Sequence, residues 1–349
     1  MSSLAWRKSK NEFRRNKRYM MDILQTIWNE IISFFALRDI IAIVKSGDYS
    51  SFLTLTGILF VLRAILPWLI LIEVIRNMIY RKFNLVHYKM SFFSYVFIAV
   101  IGRIVPLSFT LVLIGFFSKY MLFQIPFTWY GFILGYIIYE FANFVHHYLG
   151  HKVRLLWCLH SVHHAPEKMN LAVSYNRFFL EPTYMDLVRI SICIVLGIQP
   201  PMLFIIMLID GIWGVFVHIG DDFLPNGRLG FLEKILITPS HHRVHHGKNP
   251  LYTDTNFCGL LNIWDKIFKT YQPLKDEVPV EYGITRPVNP NNFTDVTFGE
   301  IVALYKDIKS APGIKNKVMY VIMPPGWSHT GDHKTAKKVK AEFIDNQNK

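Results

Sequence analysis

Charge is scarce in this chain. Asp, Glu, Lys and Arg make up only 18% of its 349 residues, against about one quarter in an average soluble domain. Cysteine is scarcer still, with three: Cys158, Cys193 and Cys258. The count is odd and no CxxC pair exists. That argues against a disulfide framework or a cysteine-rich zinc site, and for free thiols in a reducing compartment or in lipid. A signal peptide is not expected either, because the basic run near the N-terminus is too long and no short apolar core with small cleavage residues follows it. There is no nucleic-acid motif and no internal repeat beyond the histidine motifs below. Bulk replaces charge: 52% of residues are hydrophobic and 15% aromatic, including 28 Phe and 17 Tyr. This composition points to a membrane protein.

The net charge is +13. Nucleic acid or anionic lipid would each attract such a chain. The run "RKSKNEFRRNKR" at 7–18 holds seven basic residues and one acid and is followed by apolar segments, which favours a membrane surface. In "MMDILQTIWNEIISFFAL" at 20–37, apolar residues recur at helical spacing, so 1–50 reads as a basic arm with an interfacial amphipathic helix. Spans are expected at about 52–75 (with Arg63), 92–117 (interrupted by Arg103), 128–145, 184–198 and 201–219, the last two as a hairpin through "GIQPP". Loop 76–89 has four basic residues and no acid, which places it in the cytoplasm. The third span then delivers His146 and His147 to that side, and the hairpin returns the chain there. The basic arm would be left outside unless 20–45 also crosses or an early span is re-entrant. The expected fold is an all-α integral membrane helix bundle. Residues 51–330 form its main domain, 146–183 and 220–330 a cytosolic helical cap, and 331–349 a polar tail. The bacterial inner membrane is favoured over endoplasmic reticulum, since the tail has no obvious retention signal.

There are 14 histidines, and nine form one spaced set: His147 and His151; His160, His163 and His164; His218; His242, His245 and His246. Residues three and four apart share a helix face, so HxxxH offers two imidazoles to one point and HxxHH three. Nine converging nitrogens exceed a tetrahedral zinc site and suit two metal ions. A metal also relieves the repulsion and desolvation that clustered imidazoles would otherwise suffer. His87, His329 and His333 read as ordinary core or solvated histidines. His146 and His241 point about 100° away from their neighbours on a helix, as outer-sphere or incidental groups. Outer-sphere acceptors are expected for bound imidazoles; the candidates are Glu140, on the His147 stripe within an apolar span, with Asn170, Asp210, Asp221, Asp222 and Asp254.

The motifs "HYLGH", "HSVHH" and "HHRVHH", in that order among apolar spans, resemble the fatty acid hydroxylase and sterol desaturase superfamily. The segments "SHHRVHHGKN", "NFCGLLNIWDKIFKTY", "EYGITRPVN" and "PPGW" are similar to its alkylglycerol monooxygenase-like branch, with bacterial members. The resemblance runs from about Glu140 to Trp327. It implies two iron ions held by the nine histidines at the cytoplasmic face, and O2 used to hydroxylate or desaturate a membrane lipid. It also implies an external electron donor, either a protein or a reduced cofactor such as tetrahydropterin. Glu140 matches an acidic position that the family often has before its first motif. That branch tends to read "HR..HE" at the first motif, where Tyr148 and Lys152 stand here, which puts the pterin and ether-lipid chemistry in doubt and leaves the ligands untouched. Trp157, Trp213 and Phe216 are candidates to line a lipid path. A zinc-dependent membrane hydrolase would need only three ligands and a catalytic acid. A metal transporter would want histidines inside its spans, whereas these sit mainly at span ends and beyond.

Overall fold

The computed structural model describes residues 3–47, 55–101 and 106–347. Arg103, in the second expected span, falls outside them, as do the first residues of the span expected at 52–75 and the last two of the tail. Among the described residues the chain is helical, with isolated bridges at Leu236–Leu261 and Gly247–Tyr282 and no strands. The helices are α1 (Ser3–Phe34), α2 (Leu37–Ser46), α3 (Leu55–Ile79), α4 (Val86–Ile101), α5 (Pro106–Phe117), α6 (Trp129–Lys152) and α7 (Arg154–His164). They continue with α8 (Glu181–Val195), α9 (Pro200–Phe216), α10 (Pro239–His245), α11 (Ile263–Ile267), α12 (Phe293–Ser310), α13 (Gly313–Ile322) and α14 (Ala336–Gln347).

The chain divides into two compact units, 1–72 and 73–349. In the first, α1 carries the apolar periodicity expected at 20–34. It ends where Ala36 turns left-handed (φ 50°) before α2. In the second, α6 packs against α8 and α9. Tyr136, Tyr139 and Ala142 of α6 meet Ile190, Cys193 and Ile194 of α8 and Met202, Leu203 and Ile206 of α9 in one buried cluster. Gly135 keeps α6 close to α9, since a Cβ there would lie 2.8 Å from Met202 Sδ. Beyond the bundle, α7 is buried beneath α12 and α13 through Cys158, Leu304, Ala311 and Tyr320.

The expected spans are not seen as crossing helices: among the described residues no helix is long and apolar enough to cross a membrane. The segment 92–117 is divided between α4 and α5, of 16 and 12 residues, and the pair 184–198 and 201–219 becomes α8 and α9, of 15 and 17. At 1.5 Å per residue these reach about 18–26 Å, short of a hydrocarbon core of about 30 Å. The longer α3 and α6 carry Glu73 and Arg76, and Glu140 and Asn143. Glu73 is buried and accepts the N–H groups of Leu171 (2.9 Å) and Gly220 (3.0 Å). Within the second unit it thus ties the last turns of α3 to the two segments that flank the histidine-bearing turns.

Candidate metal centre

Four separate stretches deliver the nine histidines: the end of α6, the face of α7, the turn after α9, and α10 with the residue that follows it. A short joint at Val153 folds α7 back on α6 and brings the first two motifs together. Helix α10 begins at a capping box, in which Thr238 and His241 satisfy each other's backbone and side-chain groups. The imidazoles sort into two groups. His147, His151, His160, His164 and His245 form one; His163, His218, His242 and His246 form the other, and within each the ligand atoms lie within 4.8 Å of one another. The groups touch, with the His164 and His246 rings stacked 4.3 Å apart.

Burial pushes His147, His163, His164, His242, His245 and His246 well below the ordinary imidazole range, and neighbouring charges add to it. His151 is pushed down to about 4 by burial, against the pull of Asp254. These rings are therefore neutral at pH 7, each with one N–H to place. His147 Nδ1 lies 2.8 Å from the Phe257 carbonyl, His245 Nδ1 2.8 Å from that of Thr255, and His218 Nδ1 2.5 Å from that of Gly214. His160 Nδ1 lies 2.7 Å from Glu181 Oε1, and His151 Nδ1 3.3 Å from Asp254 Oδ1. Carbonyl and carboxylate oxygens only accept, so His147, His151, His218 and His245 carry their proton on Nδ1 and leave Nε2 as a bare lone pair, while His160 turns Nδ1 to Glu181 and Nε2 to the cluster.

The Nε2 atoms point at one another. His147 Nε2 lies 3.0 Å from His160 Nε2. The bare Nε2 atoms of His151 and His245 are buried with no hydrogen-bond partner. In the second group His242 Nε2 lies 2.9 Å from His218 Nε2 and 3.1 Å from His246 Nε2, and His218 Nε2 lies 3.2 Å from His163 Nε2. Buried ring nitrogens gathered this closely, with bare lone pairs among them, fit metal ions as their common partner.

The other expected site residues are placed differently. Of the acids expected from the sequence, Asp254 is the one found at a ligand. Burial raises it, but His151 and Lys152 outweigh that and hold its carboxyl below the usual range. Glu140 does not serve an imidazole; its carboxylate takes the N–H groups of Gly259, Leu260 and Leu261. Asp210 accepts from Tyr139 Oη at 2.9 Å, and Asn170 caps the 3₁₀ turn Leu171–Tyr175. Asp221 pairs with Arg243 at 2.9 Å and Asp222 with Lys82 and Lys168, each at 2.7 Å. His146 is buried beside His147, and His241 is spent on the α10 cap and on Tyr271 Oη at 2.8 Å. Trp157 stands over His151 and His164 with ring centroids 5.1 and 5.5 Å away, whereas Trp213 and Phe216 pack on each other and Trp213 donates to the Ile237 carbonyl.

Sequence reasoning missed three groups. Glu181, held below the carboxylate range because Arg177 and His160 outweigh its burial, orients His160. Asp265 accepts the N–H groups of Phe257 (2.8 Å) and Cys258 (2.9 Å), and so aims the carbonyl that holds His147. Arg243, inside the third motif, donates to the Ile219 and Leu224 carbonyls and ties α10 to the His218 turn. A cavity of about 610 Å³ opens onto His151, His164 and His245, walled by Trp157, Tyr320 and Trp327 among others.

Helix bundle and donor set together define a helical protein with two adjacent all-imidazole groups able to hold metal. Residues 132–270 match the profile of the family described as Fatty acid hydroxylase, and this segment contains all nine clustered histidines. The resemblance carried by the three histidine motifs therefore holds over that segment. The chain is 34% identical to alkylglycerol monooxygenase of Xenopus tropicalis over 205 residues, which cover 58% of this chain and 43% of that protein. It is 33% identical to the Homo sapiens alkylglycerol monooxygenase over 214 residues, 60% of this chain and 46% of that one. Similarity extends to an ornithine lipid hydroxylase of Rhizobium tropici, at 29% over 157 residues, 45% and 46% of the two chains. The chain thus spans less than half the length of these curated relatives. No solved structure matches it.

Proposed function

We propose that the chain is a membrane oxygenase that uses two iron ions and O2 to hydroxylate, or desaturate, a lipid C–H bond at the cytoplasmic face. The bare Nε2 atoms converging in two groups carry this reading. The number of rings, five in one group and four in the other, suits two ions, and imidazole is a ligand for iron as it is for zinc, copper and nickel. His147, His151, His160, His164 and His245 would hold one ion, and His163, His218, His242 and His246 the other.

Bound iron would supply the activation of O2. Hydroxylation consumes R–H, O2, two electrons and two protons and yields R–OH and water. The electrons come from an external donor, either a protein or a reduced cofactor such as tetrahydropterin. The chain's own part is to hold the rings in one tautomer, exclude water by burial and admit reactants beside His151, His164 and His245. The names of the relatives, alkylglycerol monooxygenase and ornithine lipid hydroxylase, support a lipid as substrate. The membrane part is supported by exposed apolar side chains on the bundle, among them Leu122, Trp129, Ile133 and Leu134. Such a surface is costly in water, and helices this short would enter lipid and return.

Metal analysis of detergent-purified chain beside His163→Ala tests the proposal. About two irons in the wild type, with the ion of the four-histidine group lost in the variant, is the expected result. A single zinc, or no bound metal after reconstitution with Fe(II), overturns it and brings the hydrolase reading forward.

A further inference from the structure

Two segments of the expected water-facing cap carry apolar side chains outward. One is 230–236, where Phe231 (76% exposed) and Ile235 (61%) stand clear of the fold. The other is α11 and its end, where Ile263 and Ile267 do the same and Phe268 is half-exposed. The two segments form one platform. Asn262 N–H donates to the Ile235 carbonyl at 2.9 Å, Asn262 Nδ2 to that of Glu233 at 2.8 Å, and Lys266 Nζ to that of Lys234.

Charge on the platform is sorted by sign. Its acids turn inward: Glu233 accepts the Ser240 hydroxyl at 2.6 Å, and Asp265 is buried on backbone N–H groups. Its exposed charges are Lys234, Lys266 and Lys269. The platform also continues an apolar stripe. On α6, positions 130, 133, 134, 137, 141 and 144 share one face. Tyr130, Ile133 and Leu134 are exposed on it. Further along, α11 covers the stripe: Trp264 Nε1 donates to the Ile137 carbonyl at 3.1 Å, and Phe268 stacks on Phe144 at 5.0 Å. The outward face of α11 therefore takes up the surface that α6 exposes one turn earlier.

We propose that this platform is an interfacial anchor, with Phe231, Ile235, Ile263, Ile267 and Phe268 immersed in the headgroup boundary of an anionic bilayer and Lys234, Lys266 and Lys269 at its phosphates. The proposal rests on the membrane reading above. It goes beyond it by placing part of the cap in lipid, against the expectation that 220–330 is bathed in water. The anchor fixes the height of the metal centre over the bilayer, because Asp265, within the platform, also aims the carbonyl that holds His147.

The test uses the full chain in nanodiscs with single-cysteine variants carrying an environment-sensitive NBD label. The native cysteines are all buried, so the introduced thiol reacts alone. Phe231→Cys and Phe268→Cys report the platform, Ile133→Cys the α6 stripe, and Lys309→Cys the cap away from it. Doxyl-labelled lipid is expected to quench about half of the signal or more at 231, 268 and 133, and little at 309. Quenching at 231 and 268 should be deeper in discs containing phosphatidylglycerol than in pure phosphatidylcholine, and a Lys234→Gln/Lys266→Gln/Lys269→Gln background should erase that difference. Quenching at 133 without quenching at 231 and 268 overturns the anchor alone. No quenching at 133, 231 or 268 overturns the anchor and the membrane reading together. A shielded but unquenched label at 231 and 268 assigns the platform to a protein partner or a second copy, and overturns the lipid assignment.

Discussion

A neutral imidazole has one proton to place, and the groups that receive it decide which nitrogen faces the metal. Three of the five acceptors found here are backbone carbonyls, of Gly214, Thr255 and Phe257. Carbonyls have no side-chain signature, so the sequence could show nine candidate ligands without showing how most of them are oriented. Asp254 was legible as an acid near the third motif; Glu181, 21 residues after His160 and next to no histidine, was not. Replacing Glu181 by Gln keeps the size of the side chain but removes the charge that His160 Nδ1 faces. Glu181→Gln is expected to weaken metal binding by the five-histidine group about 10- to 100-fold and to leave the four-histidine group unchanged. Stepwise release to a competing chelator resolves the two, and uniform weakening of both would refute the assignment. Arg243 makes a different prediction. It is 2% exposed and joins α10 to the His218 turn through Asp221 and the Ile219 and Leu224 carbonyls. Arg243→Ala leaves those partners unserved, and a loss of about 3 kcal/mol is expected, read as a lower midpoint in chemical denaturation of the metal-free chain.

At the scale of the element, the segment 257–261 stands out because two buried carboxylates take all five of its consecutive N–H groups. Asp265 holds Phe257 and Cys258, and Glu140 holds Gly259, Leu260 and Leu261. Gly259 is required at the centre, since a Cβ there would lie 2.4 Å from Asn143 Nδ2 and 2.6 Å from Asp210 Oδ1. The clamp's output is the Phe257 carbonyl on His147. Glu140→Gln and Asp265→Asn each put an amide donor against backbone donors, a mismatch worth about 1–3 kcal/mol. Both are expected to weaken the five-histidine group through His147 while its other four rings stay in place. The readout is a selective drop in that group's metal occupancy, with wild-type occupancy of the other. Glu140 was legible as a functional acid because it lies in an apolar stretch at helical distance from His147. Its partner was not, since a loop 119 residues away gives no periodic signal. The same limit explains the spans. Hydropathy marked the apolar stretches that became α4, α5, α8 and α9, but helix ends depend on turns such as the one at Gly197, where φ is 86° and a Cβ would lie 2.5 Å from the Phe123 carbonyl oxygen.

For the whole molecule, the histidines would become a cross-link once an ion is bound. They come from α6, α7, the turn after α9, and α10, stretches separated in sequence by up to about one hundred residues and held otherwise by the packing of the bundle and by Glu73, Arg243 and Asp265. Without metal, the bare Nε2 atoms of His147, His151 and His245, gathered in one group whose ligand atoms lie within 4.8 Å of one another, push α6 and α10 apart. With metal the same contacts draw them together, and because the unfolded chain holds no such site, binding free energy becomes folding free energy. An ion present at one hundred times its dissociation constant adds about 2.7 kcal/mol, and each kcal/mol moves the melting midpoint of a domain of this size by roughly 2–4 °C. Chelation of the loaded wild type is therefore expected to lower its midpoint by roughly 5–10 °C per ion removed. His163→Ala, which breaks only the four-histidine group, should show about half of the wild-type shift. The two groups are expected to empty as separate steps in the chelator titration. A midpoint indifferent to chelation would mean that the bundle holds the nine rings together unaided, and the repulsion argued from their bare nitrogens would then be wrong.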